Sequence, residues 1–470
     1  MTILQIAILA VIALILDRLP KGRQLALLAV SIFVVFWLQP AEPFVSLAFW
    51  LPVATLTITV LAWALTSAVE VRGWKQNWTA LAILAGVVLL MDLNRYFKLT
   101  QVYMSSTPQW ILTILVVAAI VAAALVLAQW RRSQPLLQVA AFIVIILIFI
   151  FLKTPQLTAF VLTYLASVRQ QSSNTVGTAF SWLGFSYLAF RLLHTIRDRQ
   201  SGRLPAVTLA EYVNYVIFFP AFSAGPIDRL ERFVKDLRSP LPLGDEDWID
   251  AGTRLFVGLF KKFVVADLLA VISISDVLVS QVKGAGWMWI FLYAYSFRIY
   301  FDFSGYTDVA IGLGRLLGFR LPENFAAPYL KPNLTQFWNS WHMTLTQWFR
   351  SYFFNPLTRT LRSGTQLPIW IMILLTQIST MILIGMWHGI TWNFVLWGAW
   401  HGLGLFIHNR WGEFIRNRRP AWTQSPNGQM AMNALGTLLT FNYVALGWLF
   451  FTLSTPTLAW QAMLKLFGLT

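Results

Sequence analysis

Three of the five histidines lie between residues 337 and 402, in or beside the most apolar sequence of the chain. They are His342, His388 and His401. An ionisable side chain in such surroundings requires a partner or a water-filled cavity, so each is a candidate functional residue. A neutral imidazole titrates near neutral pH and can accept a proton from a hydroxyl group. His388, at the end of an apolar run, is therefore a candidate general base; the alternative is a histidine that only hydrogen-bonds between helices.

Two tryptophans, Trp338 and Trp341, precede His342 at a spacing of about one helical turn. On a helix they would share a face and form an aromatic ledge that could guide a thioester arm. The alternative is an interfacial helix whose tryptophans lie at headgroup level.

The other histidines carry weaker signals. His401 is interpreted as packing or hydrogen bonding, His408 as a surface residue at a charged helix end, and His194 as an interfacial residue. No two histidines are spaced by four residues, and no local carboxylate completes a tetrahedral ligand set, so no metal site is predicted.

Asp302 and Asp308 flank a Ser-Gly-Tyr sequence, which predicts a turn at the end of a membrane span. An aspartate at membrane depth must be paired or face water. Pairing with Arg298, Arg315 or Arg320 is the favoured interpretation, with the carboxylates shaping a polar cavity.

Composition predicts an integral membrane protein. The chain has 470 residues, of which 57% are hydrophobic and 11% charged. Its apolar runs are continuous, which favours an all-α polytopic fold of about 10–12 membrane-embedded helices over a β-barrel. The net charge of +16 fits cytoplasmic loops and anionic lipid headgroups and does not indicate nucleic-acid binding. The absence of cysteine excludes an acyl-thioester on this chain.

The elements that position these residues form one predicted integral membrane domain. It comprises N-terminal helices (1–170), a core (175–410) and C-terminal helices (411–470). Lys and Arg counts in the loops predict a multi-pass protein of the inner (plasma) membrane with its N-terminus outside.

Several local elements are predicted as well. Residues 228–250 are expected to form a polar loop, Trp248–Val282 one long helix, and Thr335–Phe354 one aromatic amphipathic helix capped by Asn333 or Thr335. Gly385 and Gly389 should share a helix face and allow a neighbour to approach closely.

Several ordered motifs resemble the membrane-bound O-acyltransferase family, in particular its bacterial alginate O-acetylation and teichoic-acid D-alanylation branch. The motifs are FFPAFSAGPI at 218–227, RIYFDFSGYTDVAIGLG at 298–314, PENFAAPY at 322–329, FWNSWHMTL at 337–345 and MWHGITWNFVLWGAWHG at 386–402. The resemblance covers roughly residues 175–410, and linked motifs in a fixed order are specific. At Thr358–Gly364 the sequence departs from the Gly-Gly-Asn-Arg-like turn of alginate-type members, which leaves the acyl donor and acceptor open.

The resemblance implies a ring of helices around a central funnel or tunnel, with His388 as the catalytic histidine and His342 as the second. His342 would bind or polarise the donor carbonyl or hold the thioester sulfur. The expected substrate-binding residues are Trp338, Asn339, Trp341, Trp387, Trp392, Asn393 and Asp302.

The resemblance also implies the reactants. No resident cofactor is expected, and the donor would be acetyl-CoA or an acyl carrier protein thioester. The acceptor would be a hydroxyl of a cell-envelope glycan or polymer, reached directly or through a periplasmic or extracellular acyltransferase partner. Two alternatives stay open: a non-catalytic transporter of acyl groups or lipid-linked glycan, and a membrane anchor subunit of an envelope-modifying complex.

Overall fold

A computed structural model describes residues 1–19, 21–40, 47–97, 110–129, 135–168, 180–416 and 425–469. Every regular element in these ranges is helical, which confirms the all-α prediction. Seven helical segments in them are long and apolar enough to cross a membrane. These segments are Leu47–Thr66, Trp74–Leu93, Trp110–Gln129, Pro135–Lys153, Asp245–Gln281, Ile369–His388 and Pro426–Thr452. The ring around a funnel stays a prediction, and the loops with Lys98, Arg131 and Arg132, used to predict orientation, lie outside the described residues.

The chain divides into two compact units. The first comprises Met1–Leu255 and Val309–Leu321, and the second Phe256–Asp308 and Pro322–Thr470. The first ten helices belong to the first unit. They are α1 (Ile3–Asp17), α2 (Arg23–Leu38), α3 (Leu47–Thr66), α4 (Trp74–Phe97), α5 (Trp110–Gln129), α6 (Pro135–Lys153), α7 (Pro155–Val168), α8 (Phe185–Gln200), α9 (Leu209–Val216) and α10 (Leu230–Arg238).

Two predictions for the first unit are wrong. The polar segment 228–250 is not a continuous loop, because α10 buries Leu230, Phe233, Val234 and Leu237 along one face. His194 is not interfacial: it is 2% exposed, and its Nε2 lies 3.2 Å from the Tyr215 hydroxyl. A buried imidazole of this kind needs a polar partner, and α9 supplies it.

The remaining helices include the candidate site. They are α11 (Asp245–Phe260), α12 (Asp267–Val271), α13 (Asp276–Gln281), α14 (Ala285–Leu316), α15 (Leu334–Trp338), α16 (Met343–Phe349), α17 (Asn355–Gly364), α18 (Ile369–His388), α19 (Trp392–Arg416), α20 (Pro426–Thr452) and α21 (Pro456–Leu466). The single helix predicted over Trp248–Val282 is wrong: a π-helical turn at Lys261–Ala266 joins α11 to α12, and the chain breaks before α13.

The predicted turn at Ser304-Gly305-Tyr306 is also wrong, because α14 runs through it as one helix of 32 residues. Gly305 is there for close packing. A Cβ atom at this position would lie 2.7 Å from the Gly258 carbonyl oxygen. The glycine that suggested a turn instead lets α11 and α14 approach.

The same approach pairs Asp302 and Asp308 with lysines rather than with the predicted arginines. Lys261 Nζ lies 2.7 Å from Asp308 Oδ2, and Lys262 Nζ lies 2.5 Å from Asp302 Oδ1. The π-helical turn starts at Lys261. The carboxylates are therefore paired, as aspartates in a membrane segment must be.

We expect Lys261→Met to destabilise the protein by up to about 3–5 kcal/mol, because it leaves the Asp308 carboxylate, whose side chain is 13% exposed, without its ammonium. The double variant Lys261→Met/Asp308→Leu should recover most of the loss. Lys262→Met is the control, since its partner Asp302 is 53% exposed and exposed pairs contribute little. Thermal unfolding in detergent measures all three, and equal losses for both single variants would contradict the prediction.

Candidate active site

His342 lies in a turn between two short helices. The Asn333 side chain caps α15 by accepting a hydrogen bond from the Gln336 amide at 2.9 Å, as predicted. The helix then ends at Trp338 and α16 starts at Met343, so the single helix predicted over Thr335–Phe354 is wrong. His342 has φ 42° and ψ 54°, a left-handed conformation that costs energy for a residue with a Cβ atom. Such strain persists only where the surroundings impose it.

Asn324 and Ala326 impose this conformation. The Ala326 amide donates to the Ser340 carbonyl at 3.0 Å, and the Met343 amide donates to the Asn324 carbonyl at 2.9 Å. The Asn324 side-chain oxygen also accepts from the Thr344 amide at 3.2 Å and lies 3.3 Å from His342 Nδ1. The turn is therefore tied on both sides of His342.

The His342 ring is buried among aromatic side chains. It is 2% exposed, and its centroid lies 4.7 Å from that of Phe303 and 5.9 Å from that of Trp387. His342 lies outside the seven candidate spans, and burial lowers its pKa to about 3. The imidazole is consequently neutral at physiological pH.

His388 ends α18 and is half-buried. Its ring centroid lies 4.5 Å from that of Trp387, 4.7 Å from that of Phe451 and 5.8 Å from that of Phe394. Since Trp387 contacts the rings of both His342 and His388, the fold places the two sequence-predicted histidines on one indole.

The predicted aromatic ledge is buried. Trp338 and Trp341 are each 5% exposed, so neither lies at a lipid headgroup. Trp341 stacks on Phe337, with ring centroids 5.7 Å apart. Trp338 contacts His401 at 5.1 Å. His401 is fully buried, and neither of its ring nitrogens has a hydrogen-bond partner within the described ranges, so it packs without the hydrogen bond that the sequence left open.

The other predicted substrate-binding residues are placed differently. Asn339 accepts a hydrogen bond from Arg350 at 2.6 Å, and Asn393 donates to the Leu453 carbonyl. Trp392 is 75% exposed, and Asp302 is paired with Lys262. None of the ring contacts seen in the described residues connects these four to His342 or His388.

A cavity of about 300 Å³ adjoins this region. Its walls include Trp338, Asn339, Arg350, Gln377 and Leu405. Trp338 Nε1 and Gln377 Oε1 are buried and have no hydrogen-bond partner in the described part of the chain. The cavity thus combines apolar walls with one unused donor and one unused acceptor, as small-molecule sites commonly do.

Glycines set the distance between α18 and α19. A Cβ atom on Gly385 would lie 2.1 Å from the Phe394 carbonyl oxygen, and one on Gly389 would lie 2.8 Å from the Phe394 ring. The predicted close approach at these two glycines is confirmed. It holds His388 beside Phe394 and Trp397 of the next helix.

Sequence reasoning missed Asn324, Phe303, Trp397 and Phe451 as members of this site. Each stands within or near a motif that carried the family resemblance, but none has the acid–base chemistry that drew attention to the histidines. The available signal for Asn324 was an asparagine inside the segment PENFAAPY.

A family model described as "MBOAT, membrane-bound O-acyltransferase family" matches residues 94–454. The chain belongs to this family. Membership confirms the predicted enzyme class, acyl transfer to a hydroxyl group, and the histidines on Trp387 lie within the matched range.

Individual proteins show similarity over the same core. The chain is 32% identical over 301 residues to a teichoic acid D-alanyltransferase of Streptococcus thermophilus, covering 59% of this chain and 70% of that protein. It is 33% identical over 287 residues to the "Probable alginate O-acetylase AlgI" of Pseudomonas aeruginosa, covering 61% and 51%. It is 31% identical over 266 residues to a peptidoglycan O-acetyltransferase of Helicobacter pylori, covering 55% and 47%. The match therefore spans only about half the length of the last two relatives.

Proposed function

We propose that this membrane-bound O-acyltransferase moves an acetyl group from a thioester donor to a hydroxyl of a cell-envelope polymer, with His388 as general base. The observation that carries the proposal is the placement of His342 and His388 on the Trp387 indole within the family-matched region. The names of the relatives, which act on alginate, teichoic acid and peptidoglycan, support a polymer acceptor. D-alanine is the second acyl group to test, because one of these relatives is a D-alanyltransferase.

The reaction balances without a resident cofactor. The acceptor oxygen forms a new C–O bond at the thioester carbonyl while the C–S bond breaks. His388 Nδ1 or Nε2 takes the hydroxyl proton, and the departing thiolate receives it. General base action supplies about 10²–10⁴ in rate, so orientation of donor and acceptor must supply the remainder.

The cavity beside Trp338 is the proposed site for the donor arm. Its volume of about 300 Å³ lies at the lower end of ligand pockets. Trp338 Nε1 can donate to an amide carbonyl of the arm, and Gln377 Oε1 can accept from an amide N–H. An arm with several amides and an apolar stem would use both groups.

The direct test uses purified protein, crude cell-envelope glycan and one of two labelled donors, acetyl-CoA or D-alanyl carrier protein. Label should move from the donor to the polymer with the wild type and not with His388→Ala. Transfer of neither acyl group, with folded protein and both donors supplied, would overturn the proposed function.

Filling the cavity should weaken donor binding. We expect Leu405→Trp to raise the KM for the donor at least about tenfold while kcat changes little, as for loss of uniform binding. Leu403→Trp is the matched control, because Leu403 lies on the same helix but is 46% exposed. Equal KM values for the two variants would place the donor arm elsewhere.

A further inference from the structure

The side chain of Asn324 is fully buried and makes contacts that determine the protonation of its neighbours. Its Oδ1 atom lies 3.2 Å from the Thr344 backbone nitrogen, 2.7 Å from Thr344 Oγ1 and 3.3 Å from His342 Nδ1. One atom of the asparagine amide thus meets three polar atoms of the turn that contains His342.

The Thr344 backbone amide decides which end of the asparagine amide faces the turn. A backbone N–H can only donate, so the atom opposite it must be the carbonyl oxygen. The reverse orientation would set the two hydrogens of the Asn324 amide against the Thr344 N–H. Thr344 lies in the first turn of α16, where backbone N–H groups lack an intrahelical acceptor, and His342 provides no side-chain cap. Asn324 therefore satisfies a donor that the helix leaves open.

The same logic extends to the imidazole. Because Asn324 Oδ1 is an acceptor, the His342 nitrogen facing it must carry the hydrogen. We infer that Asn324 is a positioning residue that holds His342 in the tautomer with a proton on Nδ1 and a lone pair on Nε2.

This tautomer changes the role expected for His342. A neutral imidazole with its lone pair on Nε2 cannot donate a hydrogen bond from that atom to a thioester carbonyl, so the donor-polarising role is excluded. It can accept a hydrogen bond from a hydroxyl. Resting on the proposed function, the assignment is that His342 Nε2 binds a hydroxyl of the polymer acceptor while His388 takes the proton of the attacking hydroxyl. Polymers that carry neighbouring hydroxyls offer one group to each histidine.

The tautomer is measured without any activity. Protein with ¹⁵N-labelled histidine is compared by NMR with the variant His342→Gln, and the resonances that disappear belong to His342. A protonated Nδ1 and an unprotonated Nε2 are expected in the wild type, and mixed tautomers in Asn324→Leu. Protonation on Nε2 in the wild type would overturn the inference, whatever the enzyme transfers. A protonated Nδ1 with no acyl transfer would instead count against the proposed function alone.

Kinetics separate positioning from a merely structural role. Asn324→Leu should raise the KM for the polymer about tenfold, the effect of one neutral hydrogen bond, and leave the KM for the donor unchanged. Asn214→Leu is the matched control: Asn214 is also fully buried and also hydrogen-bonded, to the Gln24 carbonyl at 3.0 Å. Equal effects of the two variants on both KM values, or a rise confined to the donor, would contradict the assignment.

Asn324→Asp gives a pH signature. The groups packed on the His342 ring, Phe303 of α14 and Trp387 of α18, do not titrate, and His388 lies on the far side of Trp387. No charged side chain among the described residues shifts the His342 pKa. A carboxylate at position 324 would raise it, so Nε2 would become protonated as pH falls and polymer binding would be lost. The KM for the polymer should rise between pH 7 and pH 5 in the variant and stay flat in the wild type; identical profiles would contradict the inference.

Discussion

Replacement of His388 by alanine should lower acyl transfer by at least about 10²–10⁴-fold, the contribution of a general base. The residue ends α18, where no further helical turn depends on it, and its ring lies against Trp387, Phe394 and Phe451. Loss of the imidazole should consequently remove chemistry with a modest loss of packing. Single-turnover transfer of labelled acyl groups measures the effect on the chemical step itself.

Two controls make this result specific to position 388. His408→Gln removes a half-buried histidine of α19 that contacts neither His342 nor His388 in the described ring contacts, and it should transfer at the wild-type rate. The melting temperature of His388→Ala in detergent should stay near that of the wild type. Wild-type activity in folded His388→Ala would assign the base to another group.

Substitution of Gly398 by alanine should have the largest effect on stability. A Cβ atom at this position would lie 2.4 Å from the Met381 carbonyl oxygen and 2.5 Å from the Ile382 Cα atom. Both are backbone atoms of α18, so no side chain can rotate away and the two helices must separate. Overpacking of this kind costs about 1–3 kcal/mol or more, and it should displace His388 from Phe394. We expect a lower melting temperature together with reduced transfer.

The same helix provides a control of opposite sign. A Cβ atom on Gly412 would meet nothing within 4 Å. Gly412→Ala should therefore be neutral or stabilise α19 by up to about 1 kcal/mol, the difference in helix propensity. Thermal unfolding of both variants in one detergent compares them directly. A Gly398→Ala protein as stable as Gly412→Ala would show that the α18–α19 spacing tolerates a methyl group.

The sequence by itself determined the class of protein and the residues to test. Long apolar runs exclude a soluble domain, because buried backbone groups in lipid must be satisfied within a helix. Histidines in such runs are costly and therefore functional candidates. The Asn333 cap and the close approach at Gly385 and Gly389 were also predictable, because each depends on neighbours within a helical turn or on the size of one side chain.

Only the tertiary structure decided which residues meet. Gly305 has the same local signature in a turn as in a helix that packs closely on another, and α14 uses it for the second. Lys261 and Asp308 are far apart along the chain, so their pairing depends on the approach of α11 to α14. The break at His342 depends on Asn324, which is remote in sequence and supplies the hydrogen bonds that offset a left-handed backbone. Local periodicity contains no information about such contacts, because their free energy arises only once the helices have packed.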